Sequence, residues 1–264
     1  MLSRGPSAPA GRRVLVLVAA ALAVAATARL GRWQLDRAQQ KLDLQARITA
    51  RGSLPPLPQA DLPRTEPAAA DQHYRLVQLR GRWLSERTVY LDNRQMNARQ
   101  GFFVVTPLQL APDDVVLVQR GWMPRDFTDR SRLQPLPDQP GEVLVTGRLA
   151  PPPSRLLALD GTEQGPIRQN LDLAGFAAET GLALRPLSVQ QTQPTQPVPG
   201  GTPASSVWPD DGLLRTWPAV AVDVGKHHGY AFQWFSLSAL LVGLTLWFQI
   251  VRPWRRSVSS KPAA

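Results

Sequence analysis

The chain contains no cysteine in its 264 residues. Disulfides, thiolate nucleophiles, iron–sulfur clusters and thiolate metal sites are excluded together. Methionine is almost as scarce, limited to Met1, Met96 and Met123, which leaves no material for a thioether copper cage. Histidine is limited to His73, His227 and His228. No Gly-x-Ser-x-Gly, His-Glu-x-x-His or phosphate-cradling glycine loop is present, and the adjacent pairs Asp113/Asp114 and Asp210/Asp211 sit beside prolines as turns do. An enzyme is therefore not expected. The formal net charge of +10 also lacks the distribution a polyanion-binding surface needs. Residues 1–50 hold 8 basic and 2 acidic groups, residues 226–264 hold 5 and 0, and the middle of the chain is close to balance. The excess belongs to the flanks of apolar segments, and nucleic acid is not an expected partner.

What is present organises the chain from its ends. From Gly229 to Val251 there is no charged side chain across 23 residues, enough at 1.5 Å per residue to cross a hydrocarbon core of ~30 Å. Arg252, Arg255, Arg256 and Lys261 follow without an acid, and such a cluster marks the cytoplasmic side. His227, Tyr230, Ala231, Trp234 and Ser238 follow helical spacing and form one stripe. Gln233 and Ser236 are expected to hydrogen-bond between helices. Near the other end, Arg12 and Arg13 precede an apolar run from Val14 to Ala28. Its length and the Ala26-Thr27-Ala28 triplet fit a cleaved signal peptide, whereas Arg29 and Arg32, able to snorkel from a longer helix, fit a retained anchor. With both spans retained, the two termini share the cytoplasmic side. The amphipathic stretch from Gly31 continues this helix to Gly52, where prolines at 55, 56, 58 and 63 end it.

Between the anchors, residues 53–71 are rich in proline and alanine and read as a flexible linker, as does 191–206. Period-two alternation predicts strands at Tyr74–Trp83, Thr88–Asp92, Phe102–Leu108, Val115–Gln119, Glu142–Leu149 and Leu184–Gln191. A short helix is expected over Leu171–Thr180, stopped by Gly181. The expected class is α+β, a mainly antiparallel β domain between two terminal transmembrane helices. Its parts are a tail at 1–12, a span at 13–31, an extracytoplasmic domain at 32–225, a span at 228–251 and a tail at 252–264. Within VVLVQRGWMPRD, the residues Arg120, Gly121, Trp122 and Pro124 suggest either a bulged strand pair with Arg120 on Asp126, or an edge that docks a partner or contacts an anchor. His73 reads as a surface residue at a strand start.

Four words in fixed order, GRWQLDRAQQK, GFFVVTPL, VLVQRGWMPRD and HHGYAFQWF, resemble the Surfeit locus protein 1 family of cytochrome c oxidase assembly factors. The proline-rich insert near Pro194–Pro203 and a histidine at 228 depart from the family pattern. The resemblance implies a non-enzymatic role in supplying haem a to the haem-bearing oxidase subunit, with an extracytoplasmic central domain; the dozen residues before the first span, short for a mitochondrial leader, point to a bacterial inner membrane, where that domain is periplasmic. The enzyme that makes haem a is a further implied partner, and a scaffold that stabilises an assembly intermediate without cofactor is the alternative. His227, placed in His-x-x-Tyr, matches the family histidine proposed to ligate haem iron. Around it Tyr230, Trp234 and Trp33 are expected as walls, with Arg32, Arg29 or Lys226 meeting the propionates. The apolar tail of haem a would lie in the lipid bilayer.

Overall fold

A computed structural model describes residues 10–129, 131–153, 156, 165–198, 208–217 and 224–259, side chains of Ala10 and 256–259 excepted. The chain divides into two compact units, Met1–Gln45 with Val220–Ala264, and Ala46–Ala219.

The first unit is helical. Helix α1 runs without a break over Ala10–Gly52, so the apolar run and the amphipathic stretch form one rod, ended at the glycine the sequence points to. At the other end, α4 covers Val224–Leu246, followed by a π-helical turn at Trp247–Val251 and α5 at Arg252–Ser259. Both rods contain helices long and apolar enough to cross a membrane.

The second unit is a barrel. Its strands are β1 (Leu76–Trp83), β2 (Val89–Met96), β3 (Arg99–Ala111), β4 (Asp114–Pro124), β5 (Val143–Ala150), β6 (Ile167–Arg168), β7 (Leu184–Gln191) and β8 (Gln196–Pro197). The sheet order is β1-β5-β7-β4-β3-β2-β6, and β1 also pairs with β3. That last pairing, Arg82 to Gln109 and Trp83 to Leu108, closes a five-stranded ring from which β2 and β6 extend. Closure gives β1 a partner on its otherwise free side, while β6 stays the outer edge of the extension. It also forces two backbones together at Gly81, where an added Cβ would lie 2.4 Å from the Gln109 carbonyl oxygen.

In β1, Val77, Leu79 and Trp83 are buried while Gln78, Arg80 and Arg82 are exposed, which is the predicted alternation. They join Leu108, Val116, Val118, Val143, Val145, Leu149, Leu187 and Val189 in the barrel core. The expected mainly antiparallel sheet is present, with two parallel exceptions, β4 with β7 and β2 with β6. Strand β4 lies between β3 and β7 and is buried along nearly its whole length, as a strand covered on both faces must be. The short helix α3 occupies Leu173–Thr180. Asp172 caps it by accepting from the Gly175 amide at 2.9 Å, and Gly181 ends it with φ +70°.

Residues 53–71, expected as a linker, are packed. Leu57 donates its amide to the Leu76 carbonyl at 2.8 Å, and Leu57, Leu62 and Ala69 are buried in the barrel core. Helix α2 (Glu66–Gln72) begins with a proline in its first turn. The prolines fix an extended path along the barrel; they do not loosen it. Of the other expected flexible stretch, Thr195 is buried and β8 pairs with β5, whereas 199–206 lies outside the described residues.

Candidate functional site

The two helices of the first unit pair in antiparallel sense through small residues. Thr27 Oγ1 lies 2.6 Å from Ser238 Oγ, and the hydroxyls also bond back to their own helices, Thr27 to the Ala23 carbonyl and Ser238 to that of Trp234. Gly31 meets the Phe235 ring so closely that an added Cβ would lie 2.9 Å from it. Ala38 and Ala231 are each 2% exposed. Small side chains with one hydroxyl pair are the usual means of bringing two helices together in an apolar medium.

At the end of this seam, His227 Nδ1 lies 2.8 Å from Gln34 Oε1. His227 is half-buried whereas His228 is exposed, because adjacent helical residues point about 100° apart. His227, Ala231, Trp234 and Ser238 form the face of α4 that is turned inward, as the predicted stripe requires. Tyr230, at the margin of that stripe, is 53% exposed. Gln233 and Ser236 are exposed, and the bond between helices that they were expected to make belongs to Ser238.

The other predicted site residues are exposed. Trp33 is half exposed, with the Arg37 guanidinium 5.7 Å from its ring centroid. Together with Ala26, Arg29 and Leu30 it lines an open groove of about 480 Å³ along α1. Arg32 and Lys226 are exposed. Gln34 is the residue that sequence reasoning passed over. It lies inside the GRWQ word, but a single glutamine gives no sign of its partner 193 residues away.

The RGW word has a structural use. Arg120 and Trp122 are 2% and 0% exposed, which removes the docking-edge reading. The partner of Arg120 is Asp211 at 3.8 Å, in place of the expected Asp126, which pairs with Arg132. Arg215 shares the same Asp211 carboxylate. Arg120 also donates to Gln139 at 3.0 Å and stacks 4.6 Å from the centroid of the Trp83 ring. Burial pushes its pKa down to about 10, against the pull of Asp211. Trp122 donates its indole N–H to the Arg94 carbonyl at 2.9 Å and exchanges backbone bonds with Leu214. The segment around Leu214 is thus gripped as far as the buried Trp217, and 218–223 lies outside the described residues.

His73 is only part-exposed and lines a cleft of about 700 Å³ with Glu66, Pro151–Pro153 and α3 residues. Burial, then the nearby Arg51, lowers its pKa. Among the described residues no group of three or more His, Asp or Glu is placed to hold a bare metal ion.

A closed β barrel flanked by two apolar helices that pair through small residues defines a membrane-anchored domain protein. A profile of the SURF1 family matches residues 21–239, and the chain belongs to that family. It is 31% identical over 249 residues to a SURF1-like protein of Drosophila melanogaster, covering 86% of this chain and 75% of that one. A SURF1-like protein of Rickettsia bellii is 29% identical over 243 residues, 88% of this chain and 87% of that one. The cytochrome oxidase assembly protein SHY1 of Saccharomyces cerevisiae is 29% identical over 142 residues, 52% of this chain and 36% of that one.

Proposed function

We propose that this protein assists assembly of an aa3-type cytochrome c oxidase by holding haem a at His227 and passing it to the haem-bearing subunit. The observation that carries the reading is the meeting of two motifs. GRWQ on α1 and HHGYAFQWF on α4 come together at Gln34 and His227, 2.8 Å apart. The assembly role is drawn from membership of the family and from the name of the yeast relative, and it is a non-catalytic one. The bacterial inner membrane, with both termini cytoplasmic and the barrel periplasmic, suits the two candidate spans and the basic residues beyond the second.

The residues present fit haem better than a bare ion. One imidazole without a supporting cluster of acids is a poor cage for a free cation, but it is an adequate axial ligand when a macrocycle supplies the remaining nitrogens. When bound, haem a would supply the iron centre that the oxidase needs. In this chain His227 would hold the iron, Tyr230 and Trp234 on α4 would offer aromatic walls, and the α1 groove with Trp33 would offer an apolar one. Arg29, Arg32 and Lys226 bring positive charge for the propionates. A single strong ligand suits a carrier, since each 1.4 kcal/mol of added affinity slows release about tenfold.

Replacing His227 by alanine and purifying the protein from cells that make haem a tests the reading. Loss of the co-purified haem absorbance is expected, with His228→Ala retaining it. Unchanged absorbance in His227→Ala removes this residue from the mechanism. Normal oxidase assembly in that variant would leave a scaffold without cofactor as the function.

A further inference from the structure

We propose that Gln34 is a positioning residue for His227, holding the imidazole in the tautomer that turns an unprotonated Nε2 outward. The inference rests on the reading of His227 as a haem ligand. Gln34 Oε1 is the atom within 2.8 Å of Nδ1, and an amide oxygen has no hydrogen to give. Nδ1 therefore carries the proton and donates it. In a neutral imidazole the lone pair then resides on Nε2, the nitrogen a metal takes. A histidine ligand whose second nitrogen donates to an oxygen is both oriented and made more basic.

The seam makes this bond hard to escape. The Thr27–Ser238 pair, at 2.6 Å, fixes the register of α1 against α4 several turns away. The close Gly31–Phe235 contact is a further fixed point between the same two helices. Gln34 itself is half-buried and shares the inward face of α1 with Thr27, Gly31 and Ala38.

The experiment uses the full chain in lipid nanodiscs with 15N-histidine labelling, read by imidazole nitrogen shifts without haem and by titration with hemin. Three variants decide it. Gln34→Met removes the acceptor, Gln34→Glu keeps an acceptor that cannot donate, and His227→Ala removes the ligand. The expected result is that Gln34→Met loses the Nδ1-protonated signature of His227 and binds hemin about tenfold more weakly or worse. Gln34→Glu should retain the signature, bind at least as well as wild type, and shift the haem midpoint potential negative because the imidazole is more basic. If Gln34→Met leaves tautomer and affinity unchanged while His227→Ala loses hemin, the role of Gln34 is overturned and the ligand assignment stands. If His227→Ala binds hemin as wild type does, the ligand assignment falls, and the nitrogen shifts alone still decide whether Gln34 sets the tautomer. Gln34→Glu guards against a trivial folding loss, because a variant that folds yet shows the Nε2-protonated tautomer contradicts the proposal directly.

Discussion

Replacing Asp211 by alanine removes the carboxylate that two buried guanidiniums share. Side chains of Arg120, Asp211 and Arg215 are 2%, 2% and 8% exposed, so neither cation can turn to water without opening the barrel wall. Breaking a buried ion pair from one side costs about 3–5 kcal/mol, most of it the uncompensated charge left behind. Here Arg120 keeps its bond to Gln139 and the face of Trp83, and Arg215 keeps the Leu213 carbonyl, which places the loss at about 3 kcal/mol, the lower end of that range. For a unit the size of Ala46–Ala219, each kcal/mol lowers the melting temperature by ~2–4 °C, so a drop of ~6–12 °C is expected. Near-ultraviolet circular dichroism of the full chain in detergent reads it directly, because the Trp83 ring stacks on Arg120 within the cluster. Arg120→Met should cost less, since Asp211 then retains Arg215. The apolar double variant Arg120→Met/Asp211→Leu should recover part of the loss. An Asp211→Ala protein melting within about 2 °C of wild type, or a double variant no better than the worse single one, refutes the idea that this carboxylate clamps the 208–217 segment.

Two further outcomes follow from the same geometry. Because the chain has no native cysteine, Thr27→Cys/Ser238→Cys should form a disulfide on mild oxidation, seen as a mobility shift on non-reducing gels. Gly31→Leu, which places bulk where even a Cβ lies 2.9 Å from Phe235, should abolish that crosslink. Persistence of the crosslink in the Gly31→Leu background would contradict the seam. In the barrel unit, hydrogen bonds from Arg185 hold the Asp114 carboxyl below its ordinary value of 3.8, against the effect of burial. A carboxyl with a lowered folded pKa stabilises fully above its unfolded value and loses that contribution as pH falls through the folded one. Wild type should therefore lose stability below about pH 4 more steeply than Asp114→Asn, and parallel acid limbs in chemical denaturation would show that the pair contributes nothing.

Much of this architecture is legible in the sequence because its signals are local. Charge-free length marks α4, period-two burial marks β1, and Gly181 marks the end of α3 by backbone chemistry alone. The features that escape such reading depend on partners distant in the chain. The parallel junction of β4 and β7 leaves no mark on either strand, and Leu57, Leu62 and Ala69 carry no periodicity that would separate a packed strap from a linker. The acid that answers Arg120 lies beyond a low-complexity stretch, so the nearest carboxylate, Asp126, is the natural but wrong choice. In the candidate site, the histidine is legible from its place at a span end, whereas Gln34 requires the pairing of α1 with α4.

Ring closure has a consequence for synthesis. Strand β1 bonds to β3 and β5, and β4 bonds to β7, so no order of local folding completes the cylinder before Gln191 has left the ribosome. Only the stretch from Thr192 to Asp223 then separates the finished wall from the first turn of α4. If the first helix is already lodged in the bilayer, the cylinder must assemble while tethered at one end and still growing at the other. Late-paired strands are the ones that chaperones and proteases meet in the open state, so lesions in β7 should be cleared by degradation sooner than equally severe ones in the β3–β4 hairpin.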